Sequence, residues 1–157
     1  MRPDDDLKLG KLVKKHGFRQ DVVYGRDFIT VEWYASVSEL IEGLMKNAFA
    51  GVNYSLLAVA ASTAALFLTT VWPFLAVFAT QGAARVLNGL SVVLIALIFW
   101  TSTRYSGARF LYVLAFPAAS LLFAYIIWRS AFLAVIRGTV TWRGTAYSLA
   151  RMRANRV

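Results

Sequence analysis

Between Leu56 and Ile136 the charged side chains are confined to four arginines, Arg85, Arg104, Arg109 and Arg129. Around them lie three long uncharged apolar stretches, Leu56 to Ala79, Val86 to Thr103 and Phe110 to Trp128. The first, of 24 residues, reaches about 36 Å as a helix at about 1.5 Å per residue. A bilayer core of roughly 30 Å needs about 20 apolar residues, so this stretch is long enough to span with some tilt. Inside lipid the backbone must satisfy its own hydrogen bonds, which makes each stretch a helix. Three buried helices of a soluble bundle would each need a polar face with period 3.6, and none of the stretches has one. A mean hydropathy of +0.57, with 59% hydrophobic and 16% charged residues, lies far from soluble averages and agrees with a membrane protein.

The formal net charge is +9, and no acidic residue follows Glu42. Beyond the last apolar stretch stand Arg137, Arg143, Arg151, Arg153 and Arg156. Such a tail suits an anionic leaflet at about 1 kcal/mol per basic residue near the surface. No groove-reading motif accompanies the arginines, so a nucleic-acid partner is not expected. The chain has no cysteine, which excludes disulfides and thiolate chemistry. Its first 50 residues are polar and mixed, unlike a signal peptide.

From Met1 to Gly17 the pattern predicts an acidic cap and a short helix. Leu9, Leu12 and Val13 form a core-facing stripe, with Lys8, Lys11, Lys14 and Lys15 on the wet side. Gly17 is placed for a left-handed C-terminal cap. Asp4, Asp5 and Asp6 are read either as helix-capping acids or as carboxylates held at a helix start for general-base or metal-binding work. His16, the single histidine, is expected to be solvated at the helix end. Phe18 to Trp33 is expected to form two short strands around the turn Gly25-Arg26-Asp27, with Ile29, Val31 and Trp33 alternating with Phe28, Thr30 and Glu32. A lone strand pair is marginally stable and asks for a domain to pack against.

Ser36 to Ala50 predicts an amphipathic helix. Ser36 and Glu39 have capping-box spacing, and Val37, Leu40, Ile41, Leu44 and Ala48 line one face. Two placements remain open for it: in the headgroup plane before the first span, or packed on a soluble domain. Gly51-Val52-Asn53-Tyr54 joins it to the span. Three complete spans would put the two ends of the chain on opposite faces. The arginine tail favours the cytoplasm, whereas Arg104 and Arg109 draw the second linker there instead. A partly inserted segment, broken at Pro73 or Pro117, would reconcile the two.

Pro3-Asp4-Asp5-Asp6-Leu7-Lys8-Leu9-Gly10, with Leu12-Val13 and Gly17-Phe18-Arg19 behind it, resembles the late acidic motif of membrane-bound family 2 glycosyltransferases. Glu32-Trp33-Tyr34, Ser38-Glu39-Leu40, Gly43, Lys46-Asn47 and Val140-Thr141-Trp142-Arg143-Gly144-Thr145-Ala146-Tyr147 are similar to that family's interface helix and tail. The most similar branch transfers one sugar to lipid-like acceptors such as ceramides, carotenoids or hopanoids. The resemblance implies a mainly α membrane protein: about three transmembrane helices, an amphipathic interface helix, and a small α/β remnant of an A-type glycosyltransferase domain. Residues 1–33 would close the catalytic domain, 34–53 form the interface helix and linker, 54–136 the membrane helices, and 137–157 the basic tail.

On that pattern Asp6 is the catalytic base and Asp5 supports it; Arg143 and Trp142 either stand by the acceptor or the leaving diphosphate or, with Tyr147, only anchor to headgroups just past the last span. An inverting transfer needs a carboxylate to take the acceptor hydroxyl proton, and aspartate is ionised at neutral pH. The sugar-nucleotide-binding half with its Asp-x-Asp metal site is absent, and so is the Gln-x-x-Arg-Trp signature of processive synthases. The expected reading is therefore a non-processive fragment, inactive alone and without a cofactor of its own. The full-length enzyme would use Mg or Mn, a nucleotide sugar and a lipid-like acceptor. It would sit in a bacterial inner membrane with its catalytic side cytoplasmic. The competing expectation is a small non-enzymatic scaffold or transporter subunit, which leaves the acidic motif and the Trp142-Arg143-Gly144 segment without a role.

Overall fold

The computed structural model describes residues 5–21, 23, 28, 31–142 and 145–154, with backbone alone at 5–8, 141 and 142. The chain is mainly helical. In order it forms α1 (Asp5–Lys15), α2 (Val37–Gly51), α3 (Leu56–Leu66), a π-helical turn (Phe67–Val71), α4 (Trp72–Ala79) and α5 (Gly82–Ser106). A 3-10 segment (Phe110–Ala115), α6 (Phe116–Arg137), β1 (Thr139–Trp142), β2 (Thr145–Ser148) and α7 (Leu149–Ala154) follow. Three continuous helical stretches are long and apolar enough to cross a membrane: Leu56–Ala79, Gly82–Ser106 and Phe110–Arg137. The backbone divides into two compact units. Met1–Gly25, Ile29–Val59 and Ile126–Val157 form one, and Arg26–Phe28 with Ala60–Tyr125 form the other.

In the second unit α4 packs against α5 across a two-residue link. Thr80 closes α4 by donating both its N–H (2.9 Å) and its hydroxyl (2.6 Å) to the carbonyl of Ala76. Gly82, at φ 59°, then reverses the chain, and the Arg85 Nε–H returns to the Thr80 carbonyl at 2.8 Å. No residue of α5 is buried within the protein. That exposure suits a helix whose solvent is hydrocarbon, provided its polar groups are satisfied locally. They are satisfied by the preceding turn: Asn88 donates to Ala84 O at 2.8 Å, Ser91 to Leu87 O at 3.0 Å and Thr101 to Ile98 O at 2.8 Å. At its far end the Arg104 guanidinium lies 5.4 Å over the Trp100 ring, and Gly107 at φ 68° caps the helix. An aromatic–cation pair belongs at headgroup depth.

The π turn has its cause in Pro73. A proline lacks an N–H and its ring collides with the carbonyl four residues back, here that of Thr69. Widening the turn just before it absorbs the conflict, and the Trp72 N–H reaches the carbonyl of Phe67. The hydroxyls of Thr69 and Thr70 donate at 2.7 Å to Ala65 O and Leu66 O, covering carbonyls that the irregular turn loosens.

In the first unit α1 ends as its sequence predicts. Gly17 has φ 78°, its N–H donates to Lys14 O, and the Phe18 N–H donates to Val13 O at 3.2 Å. His16 is exposed, and its Nδ1–H donates to Leu12 O at 2.8 Å. The expected core stripe on this helix is not realised as such: Leu9 is exposed, and Leu12 and Val13 are half-buried. The capping box of α2 is present. Ser36 Oγ accepts from the Glu39 N–H at 3.2 Å, and the Glu39 carboxylate accepts from the Ala35 N–H at 3.1 Å.

Two corrections fall in this unit. Residues 22, 24–27, 29 and 30 lie outside the described residues, but 18–21, 23, 28 and 31–34 are not in strands. An isolated hairpin with no third strand or helix to cover it is marginal, and large apolar side chains there stay exposed (Phe18, Val23, Val31, Trp33). The strands form instead in the tail, where β1 and β2 pair antiparallel with Thr139 opposite Ser148 and Trp142 opposite Thr145. Gly138 at φ 62° turns the chain out of α6, and the Leu149 N–H returns to its carbonyl at 2.9 Å.

Leu94, midway along α5 and exposed, tests the lipid-facing reading. Leu94→Lys should cost about 3 kcal/mol of insertion free energy, measured by glycosylation-site mapping of membrane integration. A soluble, detergent-free monomer of the wild-type chain would contradict it outright.

Candidate functional site

The polar and apolar parts of the chain meet where α2 ends and α3 begins. The Tyr54 N–H donates to Phe49 O and the Asn53 N–H to Ala50 O, both at 2.9 Å, so the last turn of α2 closes on itself. Asn53 (φ 54°) and Tyr54 (φ 58°) are both left-handed, and the chain changes direction there. Ser55 starts α3, its Oγ accepting from the Ala58 N–H at 3.3 Å. The Phe49 and Tyr54 rings meet edge to face at 5.4 Å and 87°, both almost wholly buried. Around them gather Ala50 and Val59, Ile127, Ala131 and Ala134 of α6, and Leu149 and Met152 of the tail. The small residues of α6 let the backbones approach closely, as in membrane helix pairs.

Two long-range hydrogen bonds fix this arrangement. Ser130 of α6, 8% exposed, donates its hydroxyl to the carbonyl of Met45 in α2 at 2.7 Å. Arg153 of α7 donates Nε–H to the carbonyl of Tyr54 at 3.1 Å. Beside them opens a cleft of about 210 Å³, between the C-terminal half of α2, the end of α6 and the start of β1. Lys46, Arg137 and Glu42 supply its charged lining, Ser130, Thr139 and Tyr54 its hydroxyl-bearing residues, and Phe49, Leu133 and Ala134 its apolar floor. Lys46, Glu42 and Arg137 are exposed. Among the described residues no three histidine, cysteine or acidic side chains gather closely enough to hold a metal ion.

Of the residues singled out in the sequence, Asp5 and Asp6 occupy the first turn of α1, and Trp142 ends β1. The side chains of those three, and the whole of Asp4 and Arg143, lie outside the described residues. Two residues quoted for the glycosyltransferase resemblance are brought together: the Tyr34 ring lies where a Cβ on Gly43 would stand. That same Tyr34 stacks on Trp33 at 5.9 Å and 20°. The cleft residues Lys46 and Arg137 and the anchor Phe49 were not predicted as a set. The available signal was Phe49, which sits one position off the apolar stripe of α2 at its very end. No family model matches the chain, and no curated protein or solved structure matches it.

The junction makes graded demands on stability. Phe49→Ala should lower unfolding free energy in detergent by about 3–5 kcal/mol, the cost of an emptied aromatic site. Ser130→Ala should cost only about 0.5–1.5 kcal/mol, because it removes one hydrogen bond and little volume. Thermal unfolding of the purified variants measures both.

Proposed function

We propose that this chain is the C-terminal membrane portion of an inverting, non-processive family 2 glycosyltransferase that moves one sugar from a nucleotide sugar to a lipid-like acceptor. The observation that supports the reading most is the seating of α2 on α6 through Phe49, Tyr54 and Ser130. An interface helix locked to a membrane helix holds a polar cleft at the depth where a lipid hydroxyl would be presented. The exposed Phe18, Val31 and Trp33 support it too, since apolar side chains of that size ask for a covering domain. In this reading residues 1–33 are the edge of an A-type catalytic domain. The enzyme lies in a bacterial inner membrane with that domain cytoplasmic.

Asp6 takes the proton of the acceptor hydroxyl as its oxygen forms the bond to the anomeric carbon. The bond from that carbon to the diphosphate oxygen breaks, and the nucleoside diphosphate leaves with the electron pair. Asp5 supports the base at the helix start, where the dipole favours negative charge. A divalent Mg or Mn ion in the donor-binding half would neutralise the diphosphate. Trp142 and Arg143 follow the last membrane helix, and Arg143 stabilises charge on the leaving group.

In the full-length enzyme Asp6→Asn should keep donor binding and lower turnover by about two to four powers of ten. Asp4→Asn should cost far less, and Arg143→Ala should reduce turnover with membrane insertion unchanged. The assay is transfer from a labelled nucleotide sugar into the lipid fraction. Normal transfer by Asp4→Asn, Asp5→Asn and Asp6→Asn alike would leave a helix cap and favour the non-enzymatic scaffold.

A further inference from the structure

The cleft beside Ser130 carries two cations, Lys46 and Arg137, against the single carboxylate of Glu42. Glu42 and Lys46 are one turn apart on α2, so the carboxylate tempers Lys46, while Arg137 approaches from the end of α6. Below this cationic mouth lie Phe49, Leu133 and Ala134, which offer no hydrogen bond to a polar ligand. The Ser130 hydroxyl is already committed to Met45 O, and the exposed cationic donors at the mouth are the Lys46 ammonium and the Arg137 guanidinium fork. The volume, about 210 Å³, falls short of the roughly 300–1,000 Å³ of pockets that enclose a whole drug-sized ligand. It fits a compact anion with an apolar continuation.

Position narrows the choice. Arg137 is the last residue of the third membrane-length helix, so it stands at the level where hydrocarbon gives way to headgroups. From the geometry we infer that this cleft is a binding site for the phosphate group of an anionic phospholipid, held by Arg137 and Lys46, with the glycerol and first acyl carbons against Phe49, Leu133 and Ala134. Arginine suits the role because its planar fork takes two phosphate oxygens at once. Glu42 sets the strength of the site, since its charge opposes the phosphate. The inference does not rest on sugar transfer and would stand for a scaffold protein equally well.

The test is native mass spectrometry of the full chain, purified in detergent and titrated with phosphatidylglycerol, with diacylglycerol of the same acyl chains as the phosphate-free probe. One retained phosphatidylglycerol and no retained diacylglycerol are expected. Lys46→Gln and Arg137→Gln should each weaken retention about fivefold, the equivalent of about 1 kcal/mol per cation. Glu42→Gln should strengthen it, and that gain of binding cannot come from a misfolded chain. Lys11→Gln with Lys15→Gln removes the same charge from α1 and should change nothing. Equal loss in that control, equal retention of diacylglycerol, or displacement by inorganic phosphate at matched concentration would overturn the inference, the last by making the ligand a free anion.

Discussion

Asn53 and Tyr54 adopt left-handed backbone one after the other, between a helix that is half polar and a helix that is wholly apolar. For a residue with a side chain this conformation costs roughly 1–2 kcal/mol, so something must hold both in place. The hold is the burial of Tyr54. Its ring meets Phe49 edge to face, its carbonyl accepts from Arg153, and Val59, Ala131 and Met152 close around it. Asparagine tolerates this backbone through its short polar side chain, but tyrosine does so only because the surroundings fix it. The seating of α2, the orientation of α6 and the docking of the tail all depend on that one turn.

The second unit obeys a different constraint. No residue of α5 is fully buried: Val92, Ile95 and Phe99 are half-covered, while Leu87, Leu90, Leu94, Leu97 and Ile98 remain exposed. Its hydroxyls and amides turn back to their own helix, as Asn88, Ser91 and Thr101 do. In hydrocarbon this is the stable solution, because a polar group left open there has no water to replace the missing partner. The π turn before Pro73 follows the same rule, using Thr69 and Thr70 to cover what the irregular backbone exposes.

How far the fold could be read in advance follows from which interactions are local. The bounds of Leu56–Ala79, the Ser36–Glu39 cap and the Gly17 stop depend on neighbours within a few residues, so the sequence carries them directly. The β1–β2 pair was missed because its strands are only four residues long, and Thr139-Val140-Thr141 alternates too briefly to be told from a tail. The strands expected around Gly25 had the better pattern but no layer to cover them. The cleft was out of reach for another reason. Lys46 and Arg137 come from opposite ends of the membrane block, and only the Ser130–Met45 bond and the Phe49 anchor put them beside one space. The residues leave Asp4, Asp5 and Asp6 open between a helix cap and a base, the choice of Asp6 comes from the resemblance, and their side chains and that of Arg143 fall outside the described residues.

The bond from Arg153 to Tyr54 also ties together two points far apart in the chain. Tyr54 stands at the entrance of the first membrane-length helix, and Arg153 comes after the third, 99 residues on, yet a hydrogen bond of 3.1 Å joins them. The start of α3 and the short helix α7 therefore share one depth in whatever medium surrounds them, and neither can be drawn out of it without the other.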